Sequence, residues 1–157
     1  MVVGGWRRVT ATALVGEACR HREEIEAAAA RMTCATEVLV NPPGVERILA
    51  GADVTISAAG TTTWELCCLG RPVLLMAVAD NQRGTAAGMG KAGTAVDLGW
   101  HEEVTEEVIA DRLAALLDSP DTRQELGRRA AKLVDGVGAG RVAAALEGMR
   151  PHRSSTG

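Results

Sequence analysis

The chain has 157 residues, 46% hydrophobic and 24% charged, with a formal net charge of −3. That length and apolar content are enough for one globular domain and exclude a disordered tail, whose apolar surface could not offset chain entropy. Seventeen basic side chains against 20 acidic ones, no Phe or Tyr and three Trp argue against a nucleic-acid partner, for want of both a basic footprint and stacking platforms.

In chain order, short apolar runs alternate with helical patterns. A strand is predicted over 9–15. A helix follows over 17–32, with Ile25, Ala28, Ala29 and Met32 on one face. A strand over 36–40 ends at Asn41-Pro42-Pro43, which no helix can cross. A short helix over 45–50 is closed by Gly51. A strand over 53–57 is read as buried, with Val54 and Ile56 supplying β-branched bulk. A helix over 61–69 is stopped by Gly70 and Pro72. The all-apolar run 73–78 is the kind of strand that parallel sheets bury on both faces.

A helix over 83–91, capped by Gly93, leads to a strand over 94–98. Thr105 caps a helix over 106–117, whose first residues Glu106 and Glu107 suit its positive end. Ser119-Pro120 opens another helix, interrupted at 136–140, and a final helix covers 141–149. Residues 1–150 read as one domain and 151–157 as a disordered tail. The βαβα order implies an α/β fold: a Rossmann-like open parallel sheet with helices on both faces. Such sheets bind ligands at the carboxyl ends of their strands.

No run of about 18 apolar residues occurs, so no transmembrane segment is expected. The start, MVVGGWRRV, lacks the layout of a signal peptide. Cys19, Cys34, Cys67 and Cys68 form no C-x-x-C pair and read as small reduced hydrophobes, which points to a cytoplasmic protein with no metal.

Ser57-Ala58-Ala59-Gly60-Thr61-Thr62-Thr63-Trp64-Glu65 joins a strand to a helix. Its small residues let a ligand approach the backbone, and a helix start offers unpaired N–H groups to a phosphate. The three Thr hydroxyls add donors. Glu65, one turn further, suits a pair of ribose hydroxyls; the plain alternative is a solvated Glu near a helix start. The loop is neither G-x-G-x-x-G nor a P-loop. After the apolar strand, Asn81 and Gln82 would face the same crevice and could hold sugar hydroxyls, or they belong to a polar turn that caps the next helix.

The stretch 52–99, containing ADVTISAAGTTTWELCCLGRPVLLMAVADNQ and then KAGTAVDLG, resembles the C-terminal half of the nucleotide-sugar hydrolases of pseudaminic acid synthesis. Those remove UDP from UDP-2,4-diacetamido-2,4,6-trideoxy-β-L-altropyranose. The stretch is also similar to spore-coat polysaccharide proteins and, more distantly, to the UDP-binding half of the family-28 glycosyltransferases, including the enzyme that makes lipid II. The later segment Val134-Asp135-Gly136-Val137-Gly138-Ala139-Gly140-Arg141-Val142 resembles the ending of the hydrolase group.

The resemblance implies one half of a GT-B fold and a UDP-sugar ligand, with no cofactor. The loop Ala58–Thr62 would hold the diphosphate, chiefly through N–H groups at Gly60, Thr61 and Thr62, with Ser57 and Ala59 also among the substrate-binding residues. Glu65 would bind the ribose, Asn81 and Gln82 the sugar or its adjoining phosphate, and the turn 41–45 the uracil. In the family a catalytic His lies in an N-terminal domain; His21, His101 and His152 match no such motif, so no catalytic residue is assigned. The family's Gly-Gly-[ST]-Asp loop is also altered, since Gly4-Gly5 is followed by Trp6-Arg7-Arg8.

The expected function is therefore the UDP-sugar-binding domain of a hydrolase, with catalysis supplied by a separate N-terminal-type domain or subunit. The alternatives are the donor-binding subunit of a family-28-type glycosyltransferase, and a non-catalytic remnant. A lone half of this fold should bare an apolar patch near the first strand or the final helix.

Overall fold

A computed structural model describes residues 9–149. The Gly4-Gly5 segment, the tail 151–157 and His152 lie outside the described residues. The elements run β1 (Thr10–Val15), α1 (Arg22–Arg31), β2 (Ala35–Val40), α2 (Val45–Gly51), β3 (Thr55–Ala58), α3 (Thr62–Cys68), β4 (Val73–Ala77), α4 (Asp80–Ala92), β5 (Val96–Trp100), a 3-10 turn (His101–Glu103), α5 (Glu106–Leu117), α6 (Pro120–Leu133) and α7 (Gly138–Gly148). All strand pairings are parallel, which is the expected α/β pattern. The chain divides into two compact units, Met1–Val45 and Glu46–Gly157.

In the first unit β1 and β2 pair over their full length. Across the ladder, the Thr12 hydroxyl donates to Glu37 at 2.9 Å, where the two residues stand opposite each other. Helix α1 begins five residues later than its pattern suggests. A turn closed by the Cys19 N–H on the Gly16 carbonyl occupies the start of that run. Of the predicted apolar face, Ile25 and Ala29 are half-buried, whereas Ala28 and Met32 are exposed.

In the second unit the strand order is β3-β4-β5. Strand β4 is central, and Val73, Leu74 and Leu75 are all 0% exposed, as a strand without polar alternation should be. Strand β3 ends the ladder, so Ile56 is 44% exposed rather than buried. Leu74, Leu116 and Leu126 form the centre of the core, with Val54, Val96, Leu98 and Leu113 packed around them.

The predicted caps hold. The Val108 N–H donates to the Thr105 hydroxyl, and the Thr122 N–H to the Ser119 hydroxyl, with Pro120 in the first turn of α6. Arg123 donates to the carbonyls of Leu116 and Leu117, satisfying the end of α5 from the next helix. Helix α6 meets the α3–β4 turn backbone to backbone. A Cβ at Gly127 would overlap the Gly70 carbonyl, so no side chain fits there.

The last helix carries an apolar stripe. Val142, Leu146 and Met149 recur at helical spacing and are 61, 62 and 78% exposed. This is the expected patch, at the final helix.

Candidate functional site

Tight packing around one bend builds the candidate site. Strand β3 delivers Ser57 and Ala58, and the chain then turns at Ala59 and Gly60 into α3. The Ala59 N–H donates to the Met76 carbonyl of β4 at 2.9 Å, which pins the bend to the central strand. The Ser57 hydroxyl donates to the Ala58 carbonyl at 3.0 Å. Thr63 is fully buried, and its hydroxyl also faces that carbonyl, at 3.4 Å. Thr63 therefore offers no donor to a ligand, contrary to the expectation for three threonines. The exposed members of the run are Thr61 and, in part, Thr62.

The backbone donors differ from expectation in one place. The Gly60 N–H turns inward to the Ala58 carbonyl at 2.8 Å, because the bend is so tight. The Thr63 and Trp64 N–H groups are taken by the Gly60 and Thr61 carbonyls. That leaves the N–H groups of Thr61 and Thr62 without an acceptor among the described residues. Helix α3 has seven residues, so its dipole is short, and the two discrete donors matter more than the macrodipole.

The second segment does not form a loop. Asp80, Asn81 and Gln82 make up the first turn of α4, after an extended Ala79. The helix starts three residues earlier than predicted, because an acid and amides suit its positive end. Neither Asp80 nor Asn81 caps it. Instead Gln82 reaches back: its Oε1 accepts the Val78 N–H at 3.1 Å, one residue beyond the reach of an ordinary capping box. This fixes the amide, and its Nε2 lies 3.7 Å from where a Cβ would stand on Gly60. Gln82 thus presents a donor only, while the exposed Asn81 keeps both functions.

The structure therefore brings Ser57, Ala59, Gly60, Thr61, Thr62 and Gln82 together at the carboxyl ends of β3 and β4. Glu65 is exposed and follows Thr61 by four residues, which places both on the same side of the turn. The turn 41–45 belongs to the first unit, where Asn41 adopts a left-handed conformation with φ 45°.

Two neighbours of the site carry almost no signal in the sequence. Arg83 of α4 lies over the Trp100 ring at the end of β5, 3.7 Å from its centroid. The sole signal for this was a bulky aromatic at a strand's carboxyl end. His101 packs beside Trp100 with ring centroids 4.6 Å apart, whereas His21 pairs with Glu24 at 3.3 Å on the surface of α1.

A hollow of about 440 Å³ lies elsewhere, between Gly70 and α6. It sits before β4, away from the carboxyl ends, and its Glu125 is held in ion pairs by Arg128 and Arg129. The strand-end bend is the better candidate, because unengaged donors converge there.

No protein-family model matches the chain. Over 96 residues it is 34% identical to the spore coat polysaccharide biosynthesis protein SpsG of Bacillus subtilis (strain 168), covering 61% of this chain and 28% of that protein. Over 107 residues it is 38% identical to a UDP-N-acetylglucosamine--N-acetylmuramyl-(pentapeptide) pyrophosphoryl-undecaprenol N-acetylglucosamine transferase of Sorangium cellulosum (strain So ce56), covering 65% of this chain and 26% of that one. Among solved structures, MurG of Acinetobacter baumannii matches 90% of this chain and 42% of its own, with a TM-score of 0.75 at 18% identity. The fold is thus that of one half of the MurG GT-B architecture. The chain spans about a quarter of the length of these curated relatives. Among the described residues no helix is long and apolar enough to cross a membrane.

Proposed function

We propose that this chain is the donor-binding domain of a family-28-type glycosyltransferase and takes a UDP-sugar. The observation that carries the reading is the meeting of Gln82 Nε2 with the Gly60 bend, beside the two unengaged N–H groups of Thr61 and Thr62. Two backbone donors and one amide donor, with no carboxylate among them, match the oxygens of a diphosphate. Ser57 and Ala59 shape the bend that holds the ligand. Glu65 accepts the ribose hydroxyls, and Asn81 meets the sugar.

The half GT-B fold suits both readings; what supports a transferase over a hydrolase is the 38% identity over 107 residues to the Sorangium cellulosum transferase. The hydrolase reading leaned on the segment 134–142, and that segment has a local structural role. Asp135 accepts the Val137 N–H at 3.2 Å and pairs with Arg141, which fixes the start of α7. Turnover of UDP-sugar by the chain with no acceptor present would favour the hydrolase.

Calorimetric titration with UDP, CMP and GDP tests the proposal. UDP should bind in preference to the other two. Glu65→Ala should weaken UDP about tenfold, the size of a lost hydrogen bond to a charged group, and leave the melting temperature unchanged. No UDP binding at saturating concentration would overturn the reading.

A further inference from the structure

The Asp80–Arg83–Trp100 cluster ties the first turn of α4 to the end of β5. Asp80 Oδ1 accepts from Arg83 Nε at 3.1 Å, which orients the guanidinium. The guanidinium carbon stands 3.7 Å from the centroid of the indole ring, and the indole N–H donates in turn to Glu102 at 3.2 Å. Arg83 occupies one approach to the ring and His101 packs beside it, so Trp100 is an anchor rather than an open stacking platform.

Gln82 and Arg83 are consecutive, and helical geometry points them about 100° apart. Gln82 reaches toward β3 and the Gly60 bend, while Arg83 reaches toward Trp100 on β5. The turn is therefore held from two sides across β4. Release of the Trp100 side would let the turn rotate and carry the Gln82 amide away from Gly60. An amide held by one hydrogen bond at an exposed helix start has little else to fix it.

We infer that the Arg83–Trp100 stack is a positioning element that aims the Gln82 amide at the diphosphate side of the site. Its functional half rests on the nucleotide-sugar reading above; its structural half does not. Arg83 and Trp100 themselves are positioning residues and are not assigned a ligand contact.

The test compares Trp100→Leu, which removes the ring face, with Trp100→Phe, which keeps one for the guanidinium. In ligand-free protein the side-chain amide resonances of Gln82 should shift in Trp100→Leu and stay in place in Trp100→Phe. Affinities for UDP, UDP-glucose and UDP-N-acetylglucosamine are then measured on the same proteins. Affinity for UDP and for both UDP-sugars should fall together, about tenfold, in Trp100→Leu and be retained in Trp100→Phe. Unmoved Gln82 resonances, or a lower melting temperature with the affinities intact, would overturn the inference. A wild type that binds no UDP would instead overturn the nucleotide-sugar reading, and the resonance experiment would still decide the structural half.

Discussion

Gln82 Oε1 accepts the Val78 N–H at 3.1 Å while Nε2 of the same amide faces Gly60, so one side chain closes the start of α4 and arms the bend after β3. The two roles separate by substitution. Gln82→Glu keeps the acceptor for Val78 and adds an acid at a helix start, a change of about 0.3–1 kcal/mol in favour of the fold. It also replaces the donor near Gly60 with a negative charge. The expected outcome is an unchanged or higher melting temperature with UDP binding reduced at least tenfold. Gln82→Leu loses both roles and should cost about 0.5–1.5 kcal/mol of stability as well. Thermal melts and calorimetry on the pair check this.

Glycines in this chain divide by what surrounds them. Gly127→Ala would drive a methyl into the Gly70 carbonyl and should cost about 1–3 kcal/mol. Gly84 and Gly88 lie exposed within α4 with nothing near their Cβ positions. Replacement of either by Ala should stabilise by roughly 0.5–1 kcal/mol, since a helix interior favours Ala. Denaturant midpoints of the three variants should therefore fall on opposite sides of the wild type.

The alternation of elements was legible because apolar runs and cap residues carry it: Thr105, Ser119-Pro120 and Gly93 all act where they were predicted to. The starts of α1 and α4 were misjudged. In α1 a local turn at Gly16 competes with the helix, and in α4 a run of Asp, Asn and Gln reads as a loop although it suits a positive helix end. Ile56 was misjudged because a β-branched strand residue looks the same in a central and in a terminal strand. At the site, the small residues of the bend were visible in one dimension. Which N–H groups turn inward depends on the curvature of the chain, and the Arg83–Trp100 contact joins residues seventeen apart with no shared motif.

Acid should weaken the chain partly through Glu125. Hydrogen bonds from Arg128 and Arg129 hold this carboxyl down to about 2, against an ordinary value of 4.5. A lowered folded-state value means the unfolded chain takes up the proton first. The contribution is present above about pH 4.5 and is lost as pH falls toward 2. Glu125→Gln should flatten the dependence of unfolding free energy on pH within that window and leave its slope above pH 5 unchanged.

The adjacent cysteines should behave differently toward a thiol reagent. Cys67 is fully buried, and burial together with the neighbouring Cys68 pushes its thiol up to about 11. Cys68 is exposed. At pH 8, alkylation followed by peptide mass spectrometry should find Cys68 modified in the native protein and Cys67 only after denaturation.

The stripe on α7 sets how the molecule comes apart. Val142, Leu146 and Met149 cover no core among the described residues, while Val73, Leu74 and Leu75 are sealed inside β4. Amide protons of α7 should trade with deuterium through local fraying, while those of β4 should wait for the whole second unit to open. Within the second unit a protease should cut α7 before β4, and removal of α7 should leave the strand-end bend standing.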